Sequence, residues 1–245
     1  MAASGLENIK AVTFDLWNTI FVAKNYADKR IEYLKKVLNR RKISRSYEEI
    51  TDAYQFSLES AEKAREQGDY RFITVYQRLD FILEKLAAEI NFEEKAKVKK
   101  CFEEIILKDE PSLVDGVLET LKALNPHYRI GIICVSGLTP GKVIRIILKK
   151  KGILDYFQSQ VFSDEVGFEK PHPAIFEKSL NELKVQPEQA IHIGDLLSTD
   201  VAGAKAFGMK TVWFNFNNKV NETSHQPDFE IRKLLHLIEI LVPKI

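Results

Sequence analysis

The sequence predicts an α/β fold in which a parallel sheet flanked by helices is interrupted by a four-helix insertion. Three observations predict this fold. The chain opens with a short apolar strand at residues 11–14; residues 22–110 show helical periodicity; and after residue 110 apolar strands alternate with amphipathic helices. Such alternation favours parallel strands joined by right-handed crossovers. We therefore expect residues 1–21 and 111–245 to form the core and residues 22–110 to form a helical domain.

The composition is that of a soluble protein with a sizeable hydrophobic core. Of the 245 residues, 45% are hydrophobic and 29% are charged, and the net charge is +1. This balance attracts neither nucleic acid nor an anionic membrane, so neither is an expected partner. Because no apolar stretch reads as a signal segment or a membrane span, we expect a cytoplasmic protein. Two cysteines, Cys101 and Cys134, make a disulfide framework or a zinc site implausible, and nothing in the sequence predicts the oligomeric state.

The first strand ends in an acidic residue. Residues 11–14 are apolar enough for a buried strand, and Asp15 follows directly. Ligands of open α/β sheets bind beyond the carboxyl ends of the strands, which makes Asp15 a candidate nucleophile, general base or metal ligand. An aspartate in this place also serves as a helix cap or a turn former, and the strand alone does not decide between these interpretations.

Helical periodicity predicts four helices in the insertion. They span about 26–42, 46–67, 74–90 and 93–107. Ser46 and Glu49 have the spacing of a capping box at the start of the second helix, and Gly68 ends that helix. Because short loops join the four helices, we expect a small antiparallel bundle.

Strands and helices alternate after Pro111. Glycines at the ends of helical segments, such as Gly152 and Gly208, indicate where helices stop. The predicted helices span 113–124, 140–151, 173–183, 200–207 and 228–241, and the predicted strands span 129–135, 160–163, 190–195 and 210–214.

Four short motifs lie at the ends of these strands or in the loops beside them. They are Asp15-Leu16-Trp17-Asn18-Thr19, Ser136-Gly137, Lys170-Pro171, and Gly194-Asp195 followed by Asp200. Their order, with a helical insertion after the first, resembles that of the haloacid dehalogenase (HAD) superfamily of hydrolases over almost the whole chain. The resemblance implies a Rossmann-like, HAD-like core with the inserted helices as a cap.

The resemblance implies a nucleophile and a metal site. Asp15 would attack an electrophilic phosphorus or carbon and form a covalent intermediate. Because a carboxylate repels a phosphate dianion, a cation must lie between them, and Mg²⁺ prefers oxygen ligands. The implied ligands are Asp15, Asp195 and the backbone carbonyl of Trp17, with Asp200 acting on the metal directly or through water.

The remaining motif residues are implied to contact the substrate. Lys170 would neutralise the nucleophile and the transferred group as a point charge. Ser136 and Thr19 would donate hydrogen bonds to the same oxygens, with Gly137 beside Ser136 in the binding site. The substrate is expected to be a small molecule, in the first instance a phosphorylated metabolite.

Each motif residue also has a structural interpretation. Ser136 and Asp200 suit helix caps, and Thr19 suits a turn. Lys170 suits an exposed loop. His192 lies inside an apolar strand, which favours a packed core residue over a ligand.

Trp17 departs from the pattern of the family's phosphatases. They usually carry a second aspartate at this position, which protonates the leaving alkoxide and later activates water. An indole cannot transfer a proton at neutral pH. We therefore expect impaired hydrolysis of ordinary phosphomonoesters, with acyl or aryl phosphates less affected because their leaving groups need less help.

Two alternatives to a Mg²⁺-dependent phosphatase remain open. The family's dehalogenases carry an aromatic residue at the position of Trp17 and use a cap arginine for halide, for which Arg40, Arg41 and Arg45 are candidates. They work without metal, however, and tend to lack the pair seen at Gly194-Asp195. The second alternative is a catalytically weak member that binds a phosphorylated metabolite or a protein.

The inserted helices are expected to close over the site, exclude water and select the substrate. Hinges are expected near 21–24 and 111–114. Candidate substrate contacts on the inner face are aromatic side chains, most of which also suit the bundle core: Tyr47, Tyr54, Tyr70, Phe72 and Tyr76.

Overall fold

A six-stranded sheet organises one of two units in this computed structural model, which describes residues 6–243. The sheet unit comprises residues 6–23, 111–135 and 148–243, and the helical unit comprises residues 24–110 and 136–147. The first five and the last two residues of the predicted core lie outside the described residues.

All neighbouring strands of the sheet are parallel, in the order β3-β2-β1-β4-β5-β6. The first strand of the chain therefore lies inside the sheet, between β2 and β4. This arrangement confirms the predicted parallel α/β fold. The strands are Ala11–Phe14 (β1), Arg129–Cys134 (β2), Ser159–Phe162 (β3), Ala190–Gly194 (β4), Lys210–Phe214 (β5) and Phe229–Ile231 (β6).

The sixth strand corrects the predicted helix at 228–241. Residues Phe229–Ile231 pair with β5, and only His236–Leu241 are α-helical. Three residues are too few for period-2 alternation to be distinguished from helical spacing. The strand forms because β5 offers an unpaired edge to it.

Four helices make up most of the helical unit. Capping boxes at Ser46, Thr74 and Asn91 begin the last three, so the predicted box at Ser46 is present. Their buried aliphatic side chains, among them Leu34, Leu79 and Val98, form a single core. The helices are Ala27–Arg40 (α1), Tyr47–Gln67 (α2), Val75–Lys85 (α3) and Phe92–Glu104 (α4), the last followed by a 3₁₀ turn at Ile105–Lys108.

Helix α3 ends earlier than its periodicity predicts. Leu86 is its C-cap residue, and Ala87 follows with a φ of 44°, in the left-handed region. The guanidinium of Arg45 donates from Nη2 and Nε to the Leu86 carbonyl, at 2.7 and 3.1 Å. This side chain therefore satisfies a carbonyl that the helix leaves open at its end.

Six further α-helices follow the insertion in the part of the chain that the structure describes. They are Val117–Leu124 (α5), Gly141–Lys150 (α6), the single turn Ser163–Val166 (α7), Pro173–Leu183 (α8), Ala202–Ala206 (α9) and His236–Leu241 (α10). Helix α5 starts four residues after its predicted start, because Leu113 pairs with Phe21 and Gly116 is left-handed with a φ of 80°. A wide π-helical turn, Leu197–Val201, precedes α9 where an ordinary helix is predicted.

One face of the sheet is covered by α8 and α9. Alternate residues of the strands, including Ala11, Ile133 and Val161, form a buried cluster with Phe176 and Ala204 from these helices. Thr13 and His192 point to this same face, because they lie two residues after Ala11 and Ala190 on their strands. Two polar side chains thus lie within an apolar layer.

The chain leaves and re-enters the sheet unit through paired backbone. Phe21 and Leu113 form an antiparallel bridge. On either side of it, Val22 N donates to Ser112 O at 3.0 Å and Val114 N donates to Ile20 O at 2.9 Å. The two connections predicted to act as hinges are thus held together at their base by hydrogen bonds.

Candidate active site

Strand register brings Asp15 and Asp195 to the same edge of the sheet. Phe14 is paired with Ile193, and each aspartate lies just beyond the end of its strand. The amide of Asp15 donates to the Ile193 carbonyl at 2.8 Å, which extends the ladder by one residue. The carboxyl ends of two central parallel strands therefore carry one acid each, as expected for the ligand crevice of an open sheet.

A tight turn follows Asp15. Ile20 N and Phe21 N both donate to the Leu16 carbonyl, at 2.9 and 2.8 Å. Asn18 is left-handed with a φ of 58°, a conformation that asparagine tolerates better than most residues, and its amide donates to Phe21 O at 2.6 Å. Its side chain donates from Nδ2 to Asp195 Oδ2 at 3.4 Å. The turn is thereby tied to the second acidic strand end.

Three carboxylates converge beyond the strand ends. One oxygen each from Asp15, Asp195 and Asp200 lie within 4.8 Å of one another. The ammonium of Lys170 lies 2.6 Å from Asp15 Oδ1 and 2.6 Å from Asp200 Oδ1. All of these groups except Asp195 are nearly inaccessible to solvent, with Lys170 only 1% exposed.

Two glycines allow this convergence. A β-carbon on Gly194 would lie 2.2 Å from Asp200 Cγ, so only glycine leaves room for that carboxylate. A β-carbon on Gly203 would lie 2.9 Å from Pro171 Cα and 2.7 Å from the ring of Phe176. Gly203 thus permits the loop that carries Lys170 to pack closely against α9.

The π-helical turn orients Asp200. Its amide donates to the Leu196 carbonyl at 2.9 Å, and its Oδ2 accepts from Leu196 N at 3.0 Å. Its Oδ1 accepts from Lys170 and lies 3.2 Å from His192 Nε2. Asp200 is therefore inside the turn and not the N-cap of its helix, which was one structural interpretation of the sequence.

The three carboxyl groups of this cluster differ in pKa. Burial raises the pKa of Asp15, an effect that Lys170 opposes and the neighbouring acids strengthen. Burial, with a contribution from Asp200, raises the pKa of Asp195 to about 6. Although burial works against its charged form, the pKa of Asp200 is lowered because Lys170 and His192 face it.

Lys170 remains an ammonium in this surrounding. Burial disfavours its charge, but Asp15 and Asp200 outweigh burial and raise its pKa. Lys170 balances one of three nearby carboxylates, so Asp15 and Asp195 still repel each other when both are ionised.

The donor set fits a hard divalent cation. Three carboxylate oxygens within 4.8 Å supply only oxygen ligands, the type that Mg²⁺ prefers over nitrogen or sulfur. Asp195 is half-buried, so a bound ion would keep some water. The backbone hydrogen bonds of the turn use the Leu16 carbonyl and the Asn18 amide, and none of them uses the Trp17 carbonyl.

The other sequence-predicted residues divide into two groups. Thr19 is fully buried in the sheet unit, and its Oγ1 has no hydrogen-bond partner among residues 6–243. An unpaired buried hydroxyl costs about 1–3 kcal/mol, so this side chain suits an acceptor supplied by a bound molecule. Ser136, which is buried, and Gly137, with a φ of 59°, belong to the helical unit, and their predicted roles stay predictions.

Sequence reasoning assigned His192 only to the core. It is packed there, but its Nε2 also contacts Asp200, and its Nδ1 lies 2.9 Å from Thr13 Oγ1. The available signal was a pair of polar residues, each two or three positions before the acid that ends its apolar strand. Asn18 was likewise missed as a partner of Asp195.

Comparison with known proteins points to one family. Residues 9–208 match the haloacid dehalogenase-like hydrolases. Glyceraldehyde 3-phosphate phosphatase from Pyrococcus furiosus is 39% identical over 132 residues, which cover 52% of this chain and 54% of that protein. The match therefore spans about half the length of that relative.

Two longer similarities cover nearly the whole chain. Glyceraldehyde 3-phosphate phosphatase from Methanopyrus kandleri is 26% identical over 240 residues, covering 95% of this chain and 97% of that protein. The crystal structure of a 2-haloacid dehalogenase from Pseudomonas syringae pv. Tomato superposes with a TM-score of 0.71 at 25% identity, covering 95% of this chain and 98% of the other. Within residues 6–243, no helix has both the length and the hydropathy of a membrane span.

Proposed function

The chain belongs to the haloacid dehalogenase-like hydrolases, and we propose that within this family it is a Mg²⁺-dependent phosphatase with Asp15 as nucleophile. The observation that carries the proposal is the convergence of Asp15, Asp195 and Asp200 around Lys170. Relatives named as phosphatases support it. The substrate class is a small phosphorylated metabolite, and glyceraldehyde 3-phosphate is the first candidate because several relatives, including the two described above, are named for it.

The chemistry follows from the positions of the charged groups. One carboxylate oxygen of Asp15 forms a bond to phosphorus while the bond from phosphorus to the leaving oxygen breaks. Lys170 holds the other Asp15 oxygen and offsets negative charge near the reacting group. Water then attacks the aspartyl phosphate, releasing inorganic phosphate and restoring the carboxylate. Bound Mg²⁺, held by Asp15, Asp195 and the Trp17 carbonyl with Asp200 nearby, would lessen the repulsion between carboxylate and phosphate.

Trp17 determines which leaving groups can depart readily. Its indole Nε1 donates to the Val135 carbonyl at 3.2 Å, so the ring is tied to the end of β2. A side chain with no transferable proton leaves the departing oxygen without an acid at this position. We therefore expect aryl and acyl phosphates to turn over faster than alkyl phosphates.

Dehalogenation is the second candidate function, favoured by the aromatic residue at position 17. The candidate halide receivers, however, already have structural partners or lie in solvent. Arg41 pairs with Glu94 at 2.7 Å, and Arg45 donates to backbone carbonyls at the end of α3. Arg40 is exposed at the end of α1. These contacts favour phosphoryl transfer over halide release.

The helical unit is proposed to act as a lid. The paired backbone at Phe21 and Leu113 marks where the lid segment leaves and returns to the sheet unit. A lid on this boundary would exclude water from the charged cluster and contribute the contacts that select the substrate.

A parallel activity screen tests the proposal. Phosphate release is measured from glyceraldehyde 3-phosphate and p-nitrophenyl phosphate, and chloride release from L-2-chloropropionate, each with Mg²⁺ and with EDTA. We expect phosphate release that EDTA abolishes, and no activity in Asp15→Asn. The exposed Asp155 provides a matched control, since Asp155→Asn also removes one carboxylate charge and should keep full activity.

Other outcomes of the screen would change the assignment. Chloride release that EDTA does not affect would establish the dehalogenase instead. Full phosphatase activity in Asp15→Asn would remove Asp15 from the role of nucleophile. Metal-dependent binding of a phosphorylated ligand without turnover would indicate the weakly catalytic member of the family.

A further inference from the structure

Two polar side chains lie behind the carboxylate cluster, inside the sheet. Thr13 and His192 are a register pair of β1 and β4, and both are at most 1% exposed. Thr13 Oγ1 is 2.9 Å from His192 Nδ1, and His192 Nε2 is 3.2 Å from Asp200 Oδ1. The ring of Phe176 packs against the imidazole edge to face, with ring centroids 5.6 Å apart. The imidazole is thus fixed on three sides.

The partners of the imidazole determine where its proton lies. Asp200 is an ionised carboxylate facing Lys170, so it accepts hydrogen bonds and His192 Nε2 must carry the hydrogen. The Thr13 hydroxyl has one hydrogen to donate, and two acceptors lie within its reach. We assign this hydrogen to the bond with His192 Nδ1, which makes Nδ1 an acceptor. The 2.9 Å distance is shorter than the 3.5 Å from Thr13 Oγ1 to the Ile191 carbonyl, the other acceptor within reach.

We infer that Thr13 and His192 are positioning residues for the reaction, which hold the Asp200 carboxylate and, through it, the Lys170 ammonium. The inference rests on the proposed function only for its kinetic part. Asp200 accepts from three donors, namely Lys170 Nζ, His192 Nε2 and Leu196 N. Three donors in fixed directions leave a carboxylate a single orientation.

The orientation of Asp200 determines where Lys170 lies. Lys170 Nζ is 2.6 Å from both Asp200 and Asp15, so the ammonium is held between the two acids. If His192 no longer donates, Asp200 keeps only Lys170 and Leu196 N as donors, so its carboxylate can turn about the side-chain bond and draw the ammonium away from Asp15. The nucleophile then faces the substrate with a displaced counter-charge. Because positioning of this kind matters most in the transition state, kcat is affected more than KM.

Four variants separate positioning from packing. His192→Phe keeps an aromatic ring but removes both nitrogens, whereas His192→Gln retains an N–H group at about the reach of Nε2. Thr13→Val removes one buried hydroxyl at nearly constant shape. Thr120→Val is its matched control, because Thr120 is also buried in the sheet unit and its hydroxyl has no partner among the described residues.

The expected kinetics of folded protein follow from the loss of one hydrogen bond to a charged group. In His192→Phe, kcat should fall by about ten-fold or more with KM changed less than about two-fold. His192→Gln should recover most of this loss. Thr13→Val should lower kcat by roughly three- to ten-fold, and Thr120→Val should leave it unchanged.

A spectroscopic measurement tests the inference without any activity. In the ¹⁵N NMR spectrum of the full-length protein, the His192 imidazole should carry its hydrogen on Nε2 and none on Nδ1, and Thr13→Val should shift the Nδ1 resonance. An Nδ1–H tautomer would overturn the inference. So would a kcat in His192→Phe equal to that of the wild type, or no recovery in His192→Gln.

The NMR result also distinguishes a failure of this inference from a failure of the proposed function. If the wild type hydrolyses none of the substrates, the proposed function fails, while the tautomer still decides whether the hydrogen-bond chain exists. If the His192→Phe protein does not fold, Thr13→Val and Thr120→Val supply the kinetic comparison.

Discussion

The carboxylate of Asp200 lies directly over the backbone of Gly194, where a β-carbon would be 2.2 Å from Asp200 Cγ and 2.4 Å from its Oδ2. The two residues are six positions apart, and the π-helical turn between them folds the acid back onto the end of β4. The Asp200 carboxylate can therefore occupy this place only because Gly194 has no side chain.

Gly194→Ala should displace Asp200 and with it Lys170. We expect kcat to fall at least ten-fold and the free energy of unfolding to fall by about 1–3 kcal/mol, the usual penalty for overpacking. Enzyme assays and urea unfolding measure the two effects. Gly131→Ala, in the same sheet, is the control: its β-carbon would lie 3.2 Å or more from the side chains of α8 and β3, so a smaller loss of stability and an unchanged kcat are expected. Equal effects of the two variants would contradict this explanation.

Lys170→Met should destabilise the protein because it leaves Asp15 and Asp200 facing each other without their cation. Removing one partner of a buried ion pair costs about 3–5 kcal/mol, measurable by urea unfolding without metal. Lys178→Met removes a lysine from an exposed pair with Glu182 and should change stability by less than about 1 kcal/mol. Added Mg²⁺ should restore part of the loss in Lys170→Met, since a bound cation replaces the missing charge. A stability equal to that of Lys178→Met would show that the buried ammonium is not needed.

Trp17→Asp should raise the hydrolysis of alkyl phosphates. A carboxyl group at this position can protonate the leaving oxygen, and general acid catalysis contributes about a hundred- to ten-thousand-fold. We expect at least a ten-fold gain in kcat on glyceraldehyde 3-phosphate, less than the full range because the hydrogen bond from the indole to Val135 is lost. Trp17→Asn has nearly the same shape as the aspartate variant and no acidic proton, so it should show no gain. A similar rate in both variants would mean that proton donation does not limit the reaction.

Mg²⁺ should bind more weakly as the pH falls through about 6. Burial raises the pKa of Asp195 to about 6 and also raises that of Asp15, so protons compete with the metal in this range. In metal-free protein, a fall in pH has the opposite effect, because it stabilises the fold through these carboxyl groups. A carboxyl whose pKa is higher in the folded state contributes most below its unfolded pKa, and this contribution is lost as the pH rises through the folded value.

Thermal unfolding at fixed Mg²⁺ concentration measures this competition. The rise in Tm on adding Mg²⁺ should grow between pH 5 and pH 7 and then level off. In Asp195→Asn the rise should be smaller at every pH and depend less on pH. A rise that is constant from pH 5 to pH 8 would contradict the assignment of Asp195 as a ligand.

Local sequence was sufficient for the elements whose pattern repeats. The four helices of the insertion follow from helical periodicity and from capping boxes such as Ser46 with Glu49. The apolar strands that end at Asp15 and Asp195 follow from composition, and alternation with helices implies that these strands are parallel. Local sequence did not give the end of every helix: α3 stops at Lys85, with Leu86 as its cap, because Ala87 takes a left-handed φ of 44° and Arg45 binds the Leu86 carbonyl.

The sequence by itself determined the parallel sheet, the inserted helices and the acids at the strand ends, because each depends on neighbours within a few residues. Only the tertiary structure decided that His192 contacts Asp200 and that Phe229–Ile231 form a strand. Thr13 and His192 are 179 positions apart, and their contact exists only because β1 pairs with β4 in one register. A shift of either strand by one residue would turn its side chain to the other face of the sheet and break the contact, and no local pattern encodes that choice.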